Sequence, residues 1–401
     1  MVTRVAPKPR TNVVPVECAG DHESMGAAQG RATAAALAGL DRAIVELMAV
    51  PLESGLGKLA RSAGRFAVPA LGRVARRLMA RDLKRHYPRQ YDRMAGIARA
   101  GGVPLSWLFV GPGVEVALNR VSYVRPGACT AIAVTGSRAR RGEPMIVKNF
   151  DYPDAARDTY LVRVSRPARH TLAPSIDVTA APLAGSHEGI NEHGLAIAYN
   201  YGYFTGRAVA RIPITNLVQE VLEQCRTVDE TLAHIARRPR SGAAILMIAD
   251  AGGALVSVEL GPDAMGVRRA SDCGDALAHA NHGVTEMAER DVPHDAVLSR
   301  WNPPPVRGHR VHQSSEARHT RAEQLLDGAG VASERDLIAI AGDHAASPNG
   351  GDDTDDGDDD TICRHGPYYR TTCSVVLFPQ RRTMKVMFAA PCEADYTEVS
   401  L

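Results

Sequence analysis

Residues 127–153 read GACTAIAVTGSRARRGEPMIVKNFDYP, and the fold class turns on how this stretch is read. "CTAIAV" and "PMIVKNFDY" are short β-prone runs joined by the polar, glycine-containing "TGSRARRGE", a pattern that predicts a hairpin. Upstream the period is helical. "SMGAAQGRATAAALAGLDRAIVELMAV", "GKLARSAGRFAVPALGRVARRLMARDL" and "PRQYDRMAGIARAGG" carry apolar residues at helical spacing, the last stopping on Gly101–Gly102. Downstream, "TYLVRVS", "SIDVTA" and "LAIAYNYGY" predict further strands, with "GINEHGL" as a tight turn. "PITNLVQEVLEQC" and "TVDETLAHIARR" predict two helices, the second with Thr227 and Glu230 at capping-box spacing. The strands "AAILMIAD", "GALVSVEL" and "DALAHANH", a helical pair from "SEARHTRAEQLLDG" to "SERDLIAIAGDH", and the hairpin "TTCSVVLFPQ"/"TMKVMFAAP" complete the order. Strands come in groups between groups of helices, which favours an α+β fold of antiparallel sheets covered by helices over a doubly wound parallel sheet.

Composition narrows the function classes. Of 401 residues 45% are hydrophobic and 23% charged, the balance of a globular protein with a sizeable core. A formal net charge of +2 points to neither nucleic acid nor an anionic membrane as partner. The arginine-rich "LGRVARRLMARDLKRHYPRQYDRM" alternates its cations with Leu, Val and Met and reads as a solvated helix face. Seven widely spaced cysteines without a CxxC pair argue against a disulfide framework or a zinc ribbon and fit a reducing compartment. With no secretory h-region and no membrane-length apolar run, a cytoplasmic enzyme is expected. The acidic "NGGDDTDDGDDDT" has Thr354 and Cys363 at the third and twelfth positions of a calcium loop, so the EF-hand pattern fails and a surface loop is expected.

Four elements carry chemistry. Cys129 opens a strand directly after Gly127–Ala128. An internal thiol has a pKa of roughly 8.5, but a cut before Cys129 would give that residue its own α-amine as a base of pKa roughly 7.7–8.0. Asp151, on the second arm of the hairpin, is a carboxylate that can orient this amine. It shares a strand face with Asn149, and Lys148 shares the other with Phe150. Asn281 in "AHANHGV" can donate to the oxyanion of an acyl intermediate. The neighbouring His279 and His282 lack a third ligand at metal-site spacing, so no metal is expected there. Arg318 and Arg321 share a helix face, where one can turn inward to the site. Each string also has a purely structural reading, from strand packing to surface cations.

In this order the four elements resemble the N-terminal-nucleophile (Ntn) cysteine hydrolases of the choloylglycine hydrolase type. The closest branch is the peptidase C45 group of autoproteolytic acyltransferases that includes acyl-CoA:isopenicillin N acyltransferase. "GDHESMGAAQGR" and the C-terminal "TICRHG…TTCSVVLFPQRRTMKVMFAAPCEADYTEV" extend the resemblance over most of the chain. The resemblance implies a four-layer αββα sandwich. It implies a largely helical pro-segment, 1–128, that stays docked after cleavage between Ala128 and Cys129, and a catalytic segment, 129–401. It assigns Cys129 as nucleophile, Asp151 as its carboxylate, Asn281 and Asn200 to the oxyanion site and Arg318 as the active-site arginine. Asn191 of "GINEHGL" and Lys148, standing where bile-salt hydrolases carry an arginine, fall to substrate binding. Alternation along "AIAYNYGYF" adds Tyr201, with Tyr199 and Tyr203, as pocket walls. The implied activity is cleavage of a linear amide of a small molecule without a cofactor. The alternatives are an acyltransferase using a thioester such as an acyl-CoA, and an uncut binding protein of the same fold. Ala128 and Gly283 depart from the family pattern, which commonly has glycine before the cut and an aromatic after "ANH".

Overall fold

The computed structural model describes residues 13–49, 55–118, 127–300, 302, 306–345, 360–366 and 368–401. The N-terminal region supplies β1 (Val16–Gly20), α1 (His22–Ala32), α2 (Ala34–Ala38), α3 (Leu40–Ala49), α4 (Gly55–His86), α5 (Pro88–Ala100) and α6 (Val110–Leu118). The hairpin follows as β2 (Ala128–Val134) and β3 (Met145–Tyr152), then come β4 (Tyr160–Pro167), β5 (Ser175–Ala180), β6 (Glu188–Asn191) and β7 (Ala196–Tyr201). Helices α7 (Ile214–Gln224) and α8 (Val228–Arg237) precede β8 (Ala244–Ala249), β9 (Leu255–Leu260), β10 (Met265–Arg269) and β11 (Ala276–His279). The chain closes with α9 (Gln313–Ala329), α10 (Glu334–Ala341), β12 (Arg370–Phe378), β13 (Thr383–Met387) and β14 (Thr397–Ser400). The first twelve residues and most of the acidic stretch, 346–359, lie outside the described residues.

Two sheets result, an eight-stranded one in the order β1-β4-β5-β6-β7-β8-β9-β10 and a six-stranded one in the order β11-β2-β3-β12-β13-β14. Every pairing between named strands is antiparallel except β1 with β4. Strand alternation sorts the side chains into layers. Ala131, Ala133 and Ile146 of the smaller sheet meet Val162, Ile176 and Met247 of the larger one in the inter-sheet core. Ile132, Val134 and Val147 point the other way, onto Ala322, Leu326 and Leu337 of α9 and α10. The far face of the larger sheet packs Ile197, Leu246 and Val258 against residues of α2 to α8. The architecture is therefore a four-layer αββα sandwich, as the resemblance implies.

The N-terminal region is more than a helical annex, because β1 extends the larger sheet and the helices share its core. Fixed polar groups also hold it. Arg163 of β4 is fully buried and donates to Asp177 at 2.9 and 2.6 Å and to Gln29 of α1 at 2.9 Å, while Gln29 donates to the carbonyls of Ala181 and Leu183. Arg93 of α5 donates to Ser165 at 2.7 Å, and His22 bonds Glu223 at 3.1 Å. Removing one member of a buried pair strands the other's charge, at a cost of about 3–5 kcal/mol. Arg163→Leu is therefore expected to lower the urea midpoint by that equivalent without changing the slope. A shift equivalent to less than about 1 kcal/mol would show that the pair does not hold the layers together.

Candidate active site at the start of β2

The hairpin pairs Ala128 with Asp151 and Cys129 with Phe150. Cys129 and Phe150 thus face the inter-sheet core, whereas Asn149 and Asp151 face α10 and the segment before β12. Gly127 sits where nothing larger fits, since a Cβ there would lie 2.4 Å from the Tyr152 ring and 2.7 Å from the Asp151 carbonyl. The small residue makes room for Tyr152 rather than for the thiol.

Cys129, Asp151, Asn281, Arg318 and Lys148 come together, all buried. The Cys129 N–H donates to Asn281 Oδ1 at 3.0 Å, and the same oxygen accepts from Arg318 Nη2 at 2.9 Å. Two donors on one atom settle which end of the amide is oxygen. Asn281 Nδ2 donates to the Tyr201 carbonyl at 2.8 Å. Arg318 reaches down from α9, donating to the Cys129 carbonyl and to Thr130 Oγ1 at 2.7 Å. Its helical neighbour Arg321 instead forms a paired contact with Asp343 at 3.0 and 2.9 Å. Asp151 accepts from the Thr371 hydroxyl at 2.8 Å. It stands across the ladder from Ala128, and its charge acts on the thiol, although Asn281 and not Asp151 holds the Cys129 nitrogen.

The thiol itself is quiet in the continuous chain. Burial pushes its pKa up to about 11, with Lys148 pulling it down, Asp151 and Glu188 pushing it up, and the Tyr201 N–H favouring the thiolate. Burial works against the Lys148 charge as well, but the facing Cys129 and Glu188 acids outweigh it and hold the ammonium above its ordinary value. Lys148 contacts the Glu188 carboxylate and lies 4.0 Å from the centre of the Phe150 ring. Glu188 was not singled out by sequence. Its signal was a carboxylate in an apolar β context, one residue ahead of "GINEHGL" and legible only once Lys148 stands opposite. Phe150, Tyr160, Val178, His187, Glu188 and Cys373 surround a small, mostly apolar gap beside this pair that is too tight to hold a water.

Other expected residues do different jobs. Both bonds of Asn200 Nδ2 go to backbone, to the carbonyls of His279 at 3.1 Å and Ala280 at 2.9 Å. As placed it fixes the turn that carries Asn281 and offers nothing to an oxyanion. The structure does not bring Asn191 to the site. Its amide donates to the Leu222 and Cys225 carbonyls at the end of α7, and its oxygen accepts from the His193 and Leu195 N–H groups, so every bonding position serves the turn. The tyrosines follow the opposite alternation from the one expected. Asn200 faces the other sheet, Tyr199 packs into the helical layer, and Tyr201 and Tyr203 pack edge-to-face with each other in a separate cluster with Leu298 and Val306. Tyr201 serves the site through its backbone. His279 bonds Ser257 at 2.6 Å and the His282 carbonyl at 2.9 Å, and His282 bonds Ser315 at 2.7 Å, so both rings take part in the hydrogen-bond network around the turn. Phe204 fills the space beside Gly283, where a Cβ would meet its ring at 2.9 Å, which accounts for the missing aromatic.

The family model for acyl-coenzyme A:6-aminopenicillanic acid acyl-transferase matches residues 138–391, well over half of the sequence. The chain belongs to this family. Members of this acyl-transferase family are enzymes of acyl transfer. The matched span contains Lys148, Asp151, Asn281 and Arg318 and begins after Cys129. Among solved structures, the chain is similar to a Caenorhabditis elegans N-acylethanolamine-hydrolyzing acid amidase ortholog at 15% identity and a TM-score of 0.40, covering 63% of this chain and 93% of that one. It is also similar to penicillin V acylase from Agrobacterium tumefaciens, at 13% identity and 0.42 over 68% and 86%. A mutant of the conjugated bile acid hydrolase from Clostridium perfringens gives 11% and 0.42 over 68% and 92%. No curated protein sequence matches the chain.

Three histidines, His279 buried and His187 and His282 half-buried, give the fold a pH limit. Burial, then Lys148 and Arg163, pull His187 down to about 3, and burial, then His319, His312 and Arg318, pull His282 to about 3. Burial likewise drives His279 well below its ordinary value. The unfolded chain binds these protons near pH 6.5 and the folded chain does not, so stability is complete above that pH and lost as the pH falls below it, by about 1.4 kcal/mol per histidine per unit. Urea midpoints should fall steadily from pH 6.5 to 4.5. His187→Gln should flatten that slope by roughly one proton, and an unchanged slope would overturn the assignment of His187 as neutral.

Proposed function

We propose that this family member is an autoproteolytically activated cysteine amidohydrolase working through an acyl-Cys129 intermediate. One observation carries the reading: Asn281 Oδ1 and Arg318 grip the nitrogen and carbonyl of Cys129, the second residue of β2, directly after Gly127–Ala128. In maturation, Cys129 Sγ bonds to the Ala128 carbonyl carbon, the C–N bond to Cys129 breaks, and the nitrogen leaves as the new α-amine. Water then cleaves the thioester, giving an Ala128 carboxylate and a free thiol. In turnover, the thiol proton passes to that α-amine and Sγ attacks the amide carbon of a small linear substrate. The proton goes out on the leaving amine, and water resolves the thioester.

Asn281 supplies its remaining Nδ2 hydrogen to the oxyanion, with Asn200 as a positioning residue behind it. Asn281 Oδ1 orients the amine, Arg318 fixes that oxygen and the Cys129 carbonyl, Asp151 acts on the thiol through its charge, and the Lys148–Glu188 pair meets the polar part of the substrate. Residues 1–128 remain bound as a second chain, a reading supported by the shared core and the Gln29–Arg163 bonds. Seven free thiols suit a cytoplasmic setting. The family's own name favours a second reading in which an acyl-CoA thioester loads Cys129 and an amine collects the acyl group.

Intact mass of the freshly purified protein tests the central claim. Wild type should give two chains, the second beginning at Cys129, while Cys129→Ala stays at 42.9 kDa and loses amide hydrolysis by at least about a thousandfold. Hydrolysis surviving in Cys129→Ala would sink the mechanism, and a wild type that stays whole and inactive would favour an uncut binding protein. With the thiol near pKa 11, the cutting rate of a slowly maturing variant such as Ala128→Val should climb roughly tenfold per unit between pH 7 and 10. A flat profile would mean that the thiolate is not the attacking form.

A further inference from the structure

Away from the Cys129 thiol, four side chains from three segments converge on one point. His344 follows α10, Cys363 and His365 lie in the segment leading to β12, and Cys392 follows β13. Their ligand atoms all lie within 4.8 Å of one another. The two sulfurs are 3.6 Å apart and the two Nε2 atoms 3.1 Å apart, and His365 Nε2 is 3.5 Å from Cys363 Sγ and 3.2 Å from Cys392 Sγ. A tetrahedron built with Zn–S of about 2.3 Å and Zn–N of about 2.05 Å has edges of about 3.8 Å between sulfurs, about 3.3 Å between nitrogens and about 3.6 Å between unlike atoms. The four measured separations fall close to these edges. A hydrogen bond accounts for any one of these contacts, but four lone-pair-bearing atoms facing a single centre is the arrangement a cation organises.

The surroundings agree. His365 turns its Nδ1 toward the Glu393 carboxylate at 3.6 Å, and Arg370 holds that carboxylate in turn. A carboxylate behind a ligating imidazole fixes its tautomer and raises its basicity. Cys363 is buried whereas His344, His365 and Cys392 are exposed, so an ion can enter from solvent.

We propose that His344, Cys363, His365 and Cys392 form a structural Cys2His2 zinc site. Binding displaces one proton from each thiol, and the two thiolates neutralise the dication. All four positions are filled by protein, which leaves no open position for a reacting water. The ion cross-links the end of α10 to the approaches of β12 and β14. The adjoining Arg364 N–H bonds Thr371 Oγ1 at 2.9 Å, and Thr371 bonds Asp151, so the cross-link braces the wall behind the Cys129 site. Only Cys363 and His365 are close in sequence, and His344 and Cys392 join them only on folding.

The test uses the full-length chain purified without chelator. Elemental analysis should find about one zinc per chain, and the reduced, metal-stripped protein given Co2+ should develop the visible bands of tetrahedral thiolate-bound cobalt. Cys392→Ser, a change at an exposed position, should abolish the cobalt spectrum while circular dichroism stays that of wild type. His344→Ala offers a second variant should the first misfold. The same measurements on Cys129→Ala should be unchanged, which separates this site from the proposed catalysis. Wild type that takes up neither ion, metal retained when Cys363 and Cys392 are both serine, or a Cys363–Cys392 disulfide in protein alkylated at lysis would each overturn the proposal.

Discussion

The oxygen of Asn281 is the atom on which the site depends. It accepts from a backbone N–H on β2 and from a guanidinium on α9, and it belongs to a turn just past β11. Three elements are thereby locked to one another at a single point, inside a core where an unmet donor costs about 1–3 kcal/mol, and more when charged. The lock extends outward. Ser315 of α9 accepts the Asn281 N–H at 2.7 Å and bonds His282, and Asn200 secures the preceding carbonyls. Such a connected network has few alternative arrangements. It can therefore hold the Cys129 nitrogen and carbonyl in one position.

Around that lock the protein buries charge that a plain core would exclude. Lys148 meets Glu188, Arg163 meets Asp177, and Arg318 is fully enclosed. Pairs of this kind seldom add net stability over apolar packing of the same shape, since desolvation offsets attraction. Their presence between the sheets, at Lys148–Glu188, and under α1, at Arg163–Asp177, fits a structure selected for orienting groups at the cost of stability. The raised pKa of Cys129 has the same origin, because the enclosure that positions the thiol also disfavours its charged form.

Much of this was legible in the sequence. The change of period at Cys129 marks the hairpin, and the capped starts of α8 and α10 sit where Thr227 and Ser333 place them. Motif order singled out Cys129, Asp151, Asn281 and Arg318, which the fold assembles. What escaped has physical reasons. The strand β1 is short and gains its identity only from pairing with β4, and β10 and β14 are similarly brief edge pieces. Asn191 and Asn200 look alike as exposed-type polar residues near turns, and only their backbone partners reveal that each is committed to local structure. The face chosen by Tyr199 could not be read because β7 is apolar on both sides, being covered by a sheet on one and helices on the other.

The one parallel pairing between named strands among the described residues, β1 with β4, has a consequence of its own. Residues 16–20 cover the outer edge of β4, a strand whose face is apolar and whose other neighbour is β5. Bare edges of this kind recruit strands from other molecules. Versions of the protein shortened from the front past Gly20 would present that edge to solvent and are thus exposed to self-association, even though every residue around Cys129 is intact. The leading strand, remote from the chemistry, acts as a guard on the sheet that supports it.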